Sequence, residues 1–122
     1  MKSGVDYKIY VREIAKAVRA WEICRQWFFT SEIPVKVLID CEVREEIYDC
    51  AYPEMSFEKA MEEGPVPEDV CVANLRSTIE WYEERSQRPS YNEAAEKRRW
   101  MDEKIAKRLR SALKHKFDVE VM

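Results

Sequence analysis

Five prolines divide this 122-residue chain into segments, and this division constrains the fold more than any other feature. Each proline disfavours helical backbone at the residue before it, so helices have to end or begin near these points. A chain of this length supports one hydrophobic core, and no segment is long enough for a second. We therefore predict a single domain over residues 1–122. The prolines are Pro34, Pro53, Pro65, Pro67 and Pro89.

The segment before the first proline carries apolar residues at helical spacing. This spacing predicts a helix that begins at about Asp6 or Arg12 and ends at about Phe29. Residues 7–11 also alternate in the way that a short strand does, so strand and helix both stay open for them.

Two segments have the side-chain pattern of β-strands. Residues 35–39 are rich in β-branched side chains, and the next residue, Asp40, is a good helix N-cap. Residues 117–121 alternate between apolar and acidic side chains. Because an isolated strand cannot satisfy its own backbone hydrogen bonds, we predict that these segments pair in a small two-stranded sheet.

Helical patterns fill most of the remaining chain. Residues 41–51 and 56–63 predict two short acidic helices, the second capped by Ser56 and ended by the following glycine. Longer patterns over residues 67–87 and 91–114 predict two long helices. With the first helix these make three long helices, and the predicted fold class is α+β, mainly helical.

Glycine and histidine are too rare for several common kinds of active site. The two glycines, Gly4 and Gly64, lie far apart, whereas phosphate-binding loops need several glycines within a few residues. The single histidine, His115, cannot form a multi-histidine metal site, and no two cysteines have zinc-ribbon spacing. We therefore expect no metal, no cofactor and no catalytic residue, that is, a protein that is not an enzyme.

Carboxylates three and four residues apart on the predicted helices are the remaining candidates for chemistry. Such pairs could hold Mg²⁺ or Ca²⁺ or act as acid and base. A chain with eighteen glutamates produces them by chance, so we predict solvated helix faces instead. The two groups are Glu42, Glu45, Glu46 and Asp49, and Glu80, Glu83 and Glu84.

The distribution of apolar residues and cysteines predicts a cytoplasmic protein that does not enter a membrane. Residues 1–8 contain no apolar stretch of signal-peptide length. The longest apolar run, residues 70–73, is far shorter than the roughly 18 residues of a membrane-spanning helix. Four widely spaced cysteines fit reduced, buried thiols better than a disulfide framework.

The net charge of −3 conceals a strong segregation of charge along the chain. Residues 1–39 carry +3, residues 40–96 carry −11, and residues 97–117 carry +7. We therefore expect a bipolar molecule, whose surface potential selects and steers its partners.

On a helical wheel, the last helix places its basic residues opposite its apolar ones. The apolar side chains, from Met101 to Leu113, span an arc of about 140°, and Trp100 lies among the cations. A tryptophan in that setting can stack on a base or dock on a protein. Alternatively, the helix lies over the acidic middle segment and a neighbouring helix covers Trp100. The predicted basic partner-binding face is Lys97, Arg99, Trp100, Lys104, Lys107, Arg108, Arg110 and Lys114.

Two other helices carry a tryptophan away from their main apolar stripe. Tryptophan is enriched at interaction hot spots, so these faces are candidates for a partner or for homodimerisation. The predicted acidic or aromatic partner-binding surface is Glu42, Glu45, Glu46, Asp49, Glu80, Trp81, Glu84 and Trp27.

These features favour a small regulatory protein. We expect it to bind another macromolecule, a protein or a nucleoprotein complex, stoichiometrically as an adaptor or inhibitor. One such role is a phage-type, anti-CRISPR-like inhibitor of a nucleic-acid-processing defence complex. Its acidic stretch would then occupy a nucleic-acid channel, or its tryptophan-bearing faces would block a subunit contact. The alternative is a nucleic-acid-binding protein that uses the basic C-terminal helix, although the acidic middle segment would repel phosphates.

Overall fold

The computed structural model describes residues 6–28, 33–89 and 91–117, and within these ranges it contains five α-helices and no strand. The helices are α1 (Tyr7–Phe28), α2 (Val35–Ala51), α3 (Phe57–Glu63), α4 (Glu68–Ser86) and α5 (Glu93–Lys116).

The start of α1 is fixed by the side chain of Asp6. Its Oδ1 accepts hydrogen bonds from the backbone N–H groups of Lys8 at 2.9 Å and Ile9 at 3.2 Å. These bonds satisfy amide donors that have no partner within the helix. The early start of the first helix is therefore confirmed, and residues 7–11 are helical.

The ends of α3 and the start of α5 also have local causes. Ser56 caps α3 as predicted, since its Oγ accepts a hydrogen bond from the Lys59 amide at 3.2 Å. Gly64 ends α3 with a φ of 80°, which a side chain rarely allows. Asn92 caps α5 by accepting a hydrogen bond from the Ala95 amide at 2.8 Å.

The predicted two-stranded sheet of residues 35–39 and 117–121 is wrong. Residues 35–39 form the first turns of α2, in which the buried Ile39, Val43 and Ile47 recur every four residues. The burial of this stripe outweighs the β-propensity of the branched side chains. The α+β class is therefore corrected to an all-helical fold over the described ranges.

The start of the other predicted strand is the end of α5. The Phe117 amide donates a hydrogen bond to the Ala112 carbonyl at 3.3 Å, which closes the helix. The Phe117 ring is buried, with centroids 5.8 Å from Tyr7 and 5.7 Å from Tyr10. Residues 118–121 lie outside the described part of the chain.

The other helix predictions agree with the structure to within two residues. Residues 56–63 correspond to α3, residues 67–87 to α4 and residues 91–114 to α5. Residues 41–51 are not a separate short helix but the second part of α2.

The helices pack around α2, which contacts α1, α4 and α5, while α3 lies against α1. Buried side chains from all five helices join in one hydrophobic cluster. None of the described helices combines the length and the apolar character needed to cross a membrane.

The four cysteines are free thiols, and two of them, Cys50 and Cys71, are buried as predicted. Burial raises the pKa of Cys50 to about 12 and that of Cys71 to about 11, so neither thiol ionises near neutral pH. Cys24 departs from the expected burial, because its side chain is exposed.

Candidate partner-binding site

The predicted basic face of α5 is divided between two neighbouring helices, and one part faces α4. Arg99 Nε donates a hydrogen bond to the Ser86 carbonyl at 2.9 Å. Arg110 donates two hydrogen bonds to the Glu83 carboxylate, at 2.7 and 2.8 Å, and these lower the pKa of Glu83. These two arginines therefore join α5 to α4.

The other part of the basic face borders a groove of about 300 Å³ between α5 and the start of α2, named here the α2–α5 groove. Its surface is almost entirely apolar. Lysine and arginine contribute to such a surface through their methylene stems while their charged ends stay in water. Three apolar and four cationic residues line it. They are Val35, Ile39 and Trp100, and Lys36, Lys104, Lys107 and Arg108.

Two of the lining cations have carboxylate partners. Arg108 donates a hydrogen bond to Asp40 at 2.5 Å, and Lys107 Nζ lies 3.3 Å from the Glu103 carboxylate. Asp40, predicted to cap a helix, thus lies inside α2 and pairs with α5.

Trp100 and two lysines are the most available groups of the groove. Trp100 is 47% exposed, so the neighbouring helices cover only about half of it, less than the alternative interpretation required. Lys104 Nζ lies 5.6 Å from the Trp100 ring centroid, within cation–π range. Neither Lys104 nor Lys36 pairs with a carboxylate among the described residues. Lys97 and Lys114 are exposed elsewhere on α5.

The N-terminus of α2 opens beside the groove, since Val35 and Lys36 are its first two residues. No acidic residue lies in the first turn, and no side chain of the described residues caps it. The unpaired amides of a helix N-terminus carry a positive partial charge. This charge adds to that of the lysines.

A buried charge cluster connects α2, α4 and α5. Asp102 of α5 is fully buried and accepts two hydrogen bonds from Arg85 of α4, both at 2.6 Å. Arg98 Nε lies 2.8 Å from the same carboxylate, and Arg98 Nη2 reaches Glu42 of α2 at 3.0 Å. Two arginines thus balance two carboxylates, and Glu42 is part of the internal structure rather than of a solvated face.

The other acidic residues of α2 are partly sheltered. Glu46 accepts a hydrogen bond from the Tyr82 hydroxyl, and burial nevertheless raises the pKa of Glu46. Burial also raises the pKa of Glu45 and that of Asp49, and the nearby Glu22 of α1 adds to both increases. These three residues lie on α2, whereas the two tryptophans with which they were grouped belong to α1 and α4.

The remaining predicted surface residues lie on α4 or outside the described side chains. Trp81 is 48% exposed, and the Arg85 guanidinium stacks on its ring at 4.1 Å from the centroid. Glu80 and Glu84 are exposed on the same helix. Trp27 belongs to α1, but its side chain lies outside the described part of the structure.

No known protein family matches this chain. Neither a curated protein nor a solved structure is significantly similar to it. Within the described ranges, no three His, Cys, Asp or Glu side chains come together in an arrangement that could hold a metal ion.

Four of the eight predicted basic-face residues line the groove, and the α2 side of the groove was missed. Val35, Lys36 and Ile39 fall in the segment predicted to be a strand, which concealed their position beside α5. The signal that identifies them is the four-residue repeat of Ile39, Val43 and Ile47, which continues across Asp40.

The sheltered Glu46 predicts a specific pH dependence of stability. Its ordinary pKa is 4.5, and the folded state raises it, so between these values the folded state holds a proton that the unfolded state has lost. Stability therefore falls as pH rises through that window, and the loss persists above it. Glu46→Gln removes the titration and keeps an acceptor for Tyr82. We expect urea unfolding, followed by circular dichroism, to show a flatter pH dependence of stability for Glu46→Gln than for the unmodified protein. At pH 7 the variant should be at least as stable as the unmodified protein.

The exposed Glu58 on α3 supplies a control for this measurement. Glu58→Gln should leave the slope of stability against pH above pH 4.5 close to that of the unmodified protein. Equal slopes for Glu46→Gln and the unmodified protein would contradict the effect assigned to burial.

Proposed function

We propose that this protein binds a partner protein stoichiometrically through the α2–α5 groove, as an adaptor or inhibitor, and that it catalyses no reaction. The observation that carries this proposal is the half-exposed Trp100 on an apolar groove bordered by cations. Exposed tryptophans held on rigid elements act as anchors in protein interfaces. The proposed place of action is the cytoplasm.

A protein partner is favoured over nucleic acid by the way in which the fold uses its arginines. Arg99, Arg108 and Arg110 are all bonded to acceptors on α2 or α4. Asp40 and Glu83 partly neutralise the charges of Arg108 and Arg110, which weakens the attraction for phosphates. The apolar surface of the groove suits a protein side chain better than a phosphate backbone.

The position of the acidic residues also favours one mode of inhibition. Glu42, Glu46 and Glu83 are engaged with Arg98, Tyr82 and Arg110, so these three carboxylates are less available to imitate a nucleic acid, whereas Glu80 and Glu84 are exposed. Obstruction of a subunit contact by the face that bears Trp100 is the mode that we propose. An anti-CRISPR-like inhibitor acting in this way is one form of the proposal.

Affinity capture from the native host with a matched pair of variants tests the proposal. Trp100→Ala and Trp81→Ala remove tryptophans of nearly equal exposure, 47% and 48%, on different helices. The unmodified protein and Trp81→Ala should retain the same protein in equimolar amount, and Trp100→Ala should retain at least about tenfold less.

Two results would contradict this assignment. Equal capture by Trp100→Ala and Trp81→Ala would exclude the groove as the binding site. Recovery of nucleic acid, with a gel shift that weakens steeply as salt rises, would favour the nucleic-acid alternative.

A further inference from the structure

The size and lining of the α2–α5 groove restrict what part of a partner can enter it. Its volume of about 300 Å³ is at the lower end of the range for pockets that hold small molecules. A space of that size accommodates one bulky apolar side chain. Val35, Ile39 and Trp100 supply apolar contact for such a side chain.

The charges around the groove determine which residues of the partner can lie next to the inserted apolar side chain. Lys36 and Lys104 have no carboxylate partner among the described residues, and both line the groove. The N-terminus of α2, which no side chain of the described residues caps, adds positive partial charge on the same side. Carboxylates that flank the anchor would meet these charges, whereas lysines or arginines would be repelled.

We infer that the α2–α5 groove recognises an acidic peptide segment that inserts one bulky apolar side chain beside Trp100, with flanking carboxylates on Lys36 and Lys104. This inference rests on the proposed function and names the chemistry of the partner's binding segment. It also gives Lys36 a role that the wheel of α5 does not assign, because Lys36 belongs to α2.

A direct binding experiment uses a short labelled synthetic peptide with one phenylalanine between glutamates. The labelled peptide is titrated with protein up to about 1 mM, and its fluorescence anisotropy is measured. This range detects a dissociation constant as weak as about 1 mM, which corresponds to a binding free energy of about 4 kcal/mol. The peptide should bind, and replacement of its phenylalanine by alanine or of its glutamates by lysine should weaken binding at least about tenfold. Single-stranded oligothymidylate of similar length serves as the nucleic-acid comparison.

The protein variants are two double charge reversals that change the net charge equally. Lys36→Glu with Lys104→Glu alters the groove, whereas Lys16→Glu with Lys59→Glu alters exposed lysines on α1 and α3. The first should lose at least about tenfold in affinity, and the second should lose less than about threefold. Circular dichroism and melting temperature verify that both variants fold.

The outcomes separate this inference from the proposed function. No peptide binding, equal loss with both charge reversals, or preferential binding of oligothymidylate would overturn the acidic-peptide assignment. If capture of a host protein still depended on Trp100 in that case, the proposed function would stand with a partner segment of different chemistry. If capture did not depend on Trp100, the proposed function itself would fail.

Discussion

Asp102→Ala is expected to lower the free energy of unfolding by about 3–5 kcal/mol, the cost of removing one partner from a buried ion pair. Asp102 is fully buried and accepts two hydrogen bonds from Arg85 at 2.6 Å. Without its carboxylate, Arg85 and Arg98 lose a shared acceptor; Arg98 keeps Glu42, whereas the mostly buried Arg85 keeps its desolvation cost without a carboxylate partner. Such a loss is a large part of the roughly 5–15 kcal/mol that stabilises a small domain. Urea unfolding followed by far-UV circular dichroism measures it.

The adjacent Glu103 provides the control for this substitution. Glu103 is exposed and pairs with Lys107, so Glu103→Ala should cost less than about 1 kcal/mol. A second variant tests the mechanism, since apolar replacement of both partners removes the uncompensated charge. Asp102→Leu combined with Arg85→Met should be less destabilising than Asp102→Ala. Similar stabilities for Asp102→Ala and Glu103→Ala would contradict a structural role for the cluster.

Part of this cluster could have been predicted from the sequence. At 100° per residue, Arg98 and Asp102 lie about 60° and 100° from Met101, inside the apolar arc that ends at Leu113. Charged side chains within such an arc, four residues apart, indicate a buried pair. The participation of Arg85 could not be predicted, because it depends on how α4 and α5 pack against each other.

Only part of the groove can likewise be predicted from local sequence, and the rest depends on how the helices pack. The wheel of α5 predicts its α5 side, including the exposed Trp100, because helical geometry alone determines which residues share a face. The α2 side was lost when the β-branched residues 35–39 were assigned to a strand. Local propensity for strand is weak, and the packing of Ile39 against neighbouring helices overrides it. The same packing creates the groove, so neither half of the chain contains the whole site.

Phe117→Ala is expected to lower the free energy of unfolding by about 3 kcal/mol, the lower part of the range for removal of a buried phenylalanine. The Phe117 ring is 4% exposed and makes an edge-on contact with Tyr10 and a tilted contact with Tyr7. These contacts connect the end of α5 to the first turns of α1. Their loss leaves a cavity and removes two aromatic pairs. Urea unfolding measures the global effect, and hydrogen exchange of the amides in α1 measures the local one.

Two further variants show whether the effect comes from burial or from the loss of any aromatic ring. Phe117→Leu keeps most of the apolar volume and should cost less than about 1.5 kcal/mol. Tyr91→Ala removes a ring that is 88% exposed and should change stability by less than about 0.5 kcal/mol. Because Phe117 packs on α1, hydrogen exchange of the amides near Tyr7 and Tyr10 should become faster in Phe117→Ala but not in Tyr91→Ala. If Phe117→Ala were as stable as Tyr91→Ala and left exchange in α1 unchanged, the end of α5 would not pack on α1, and a different C-terminal arrangement would be required.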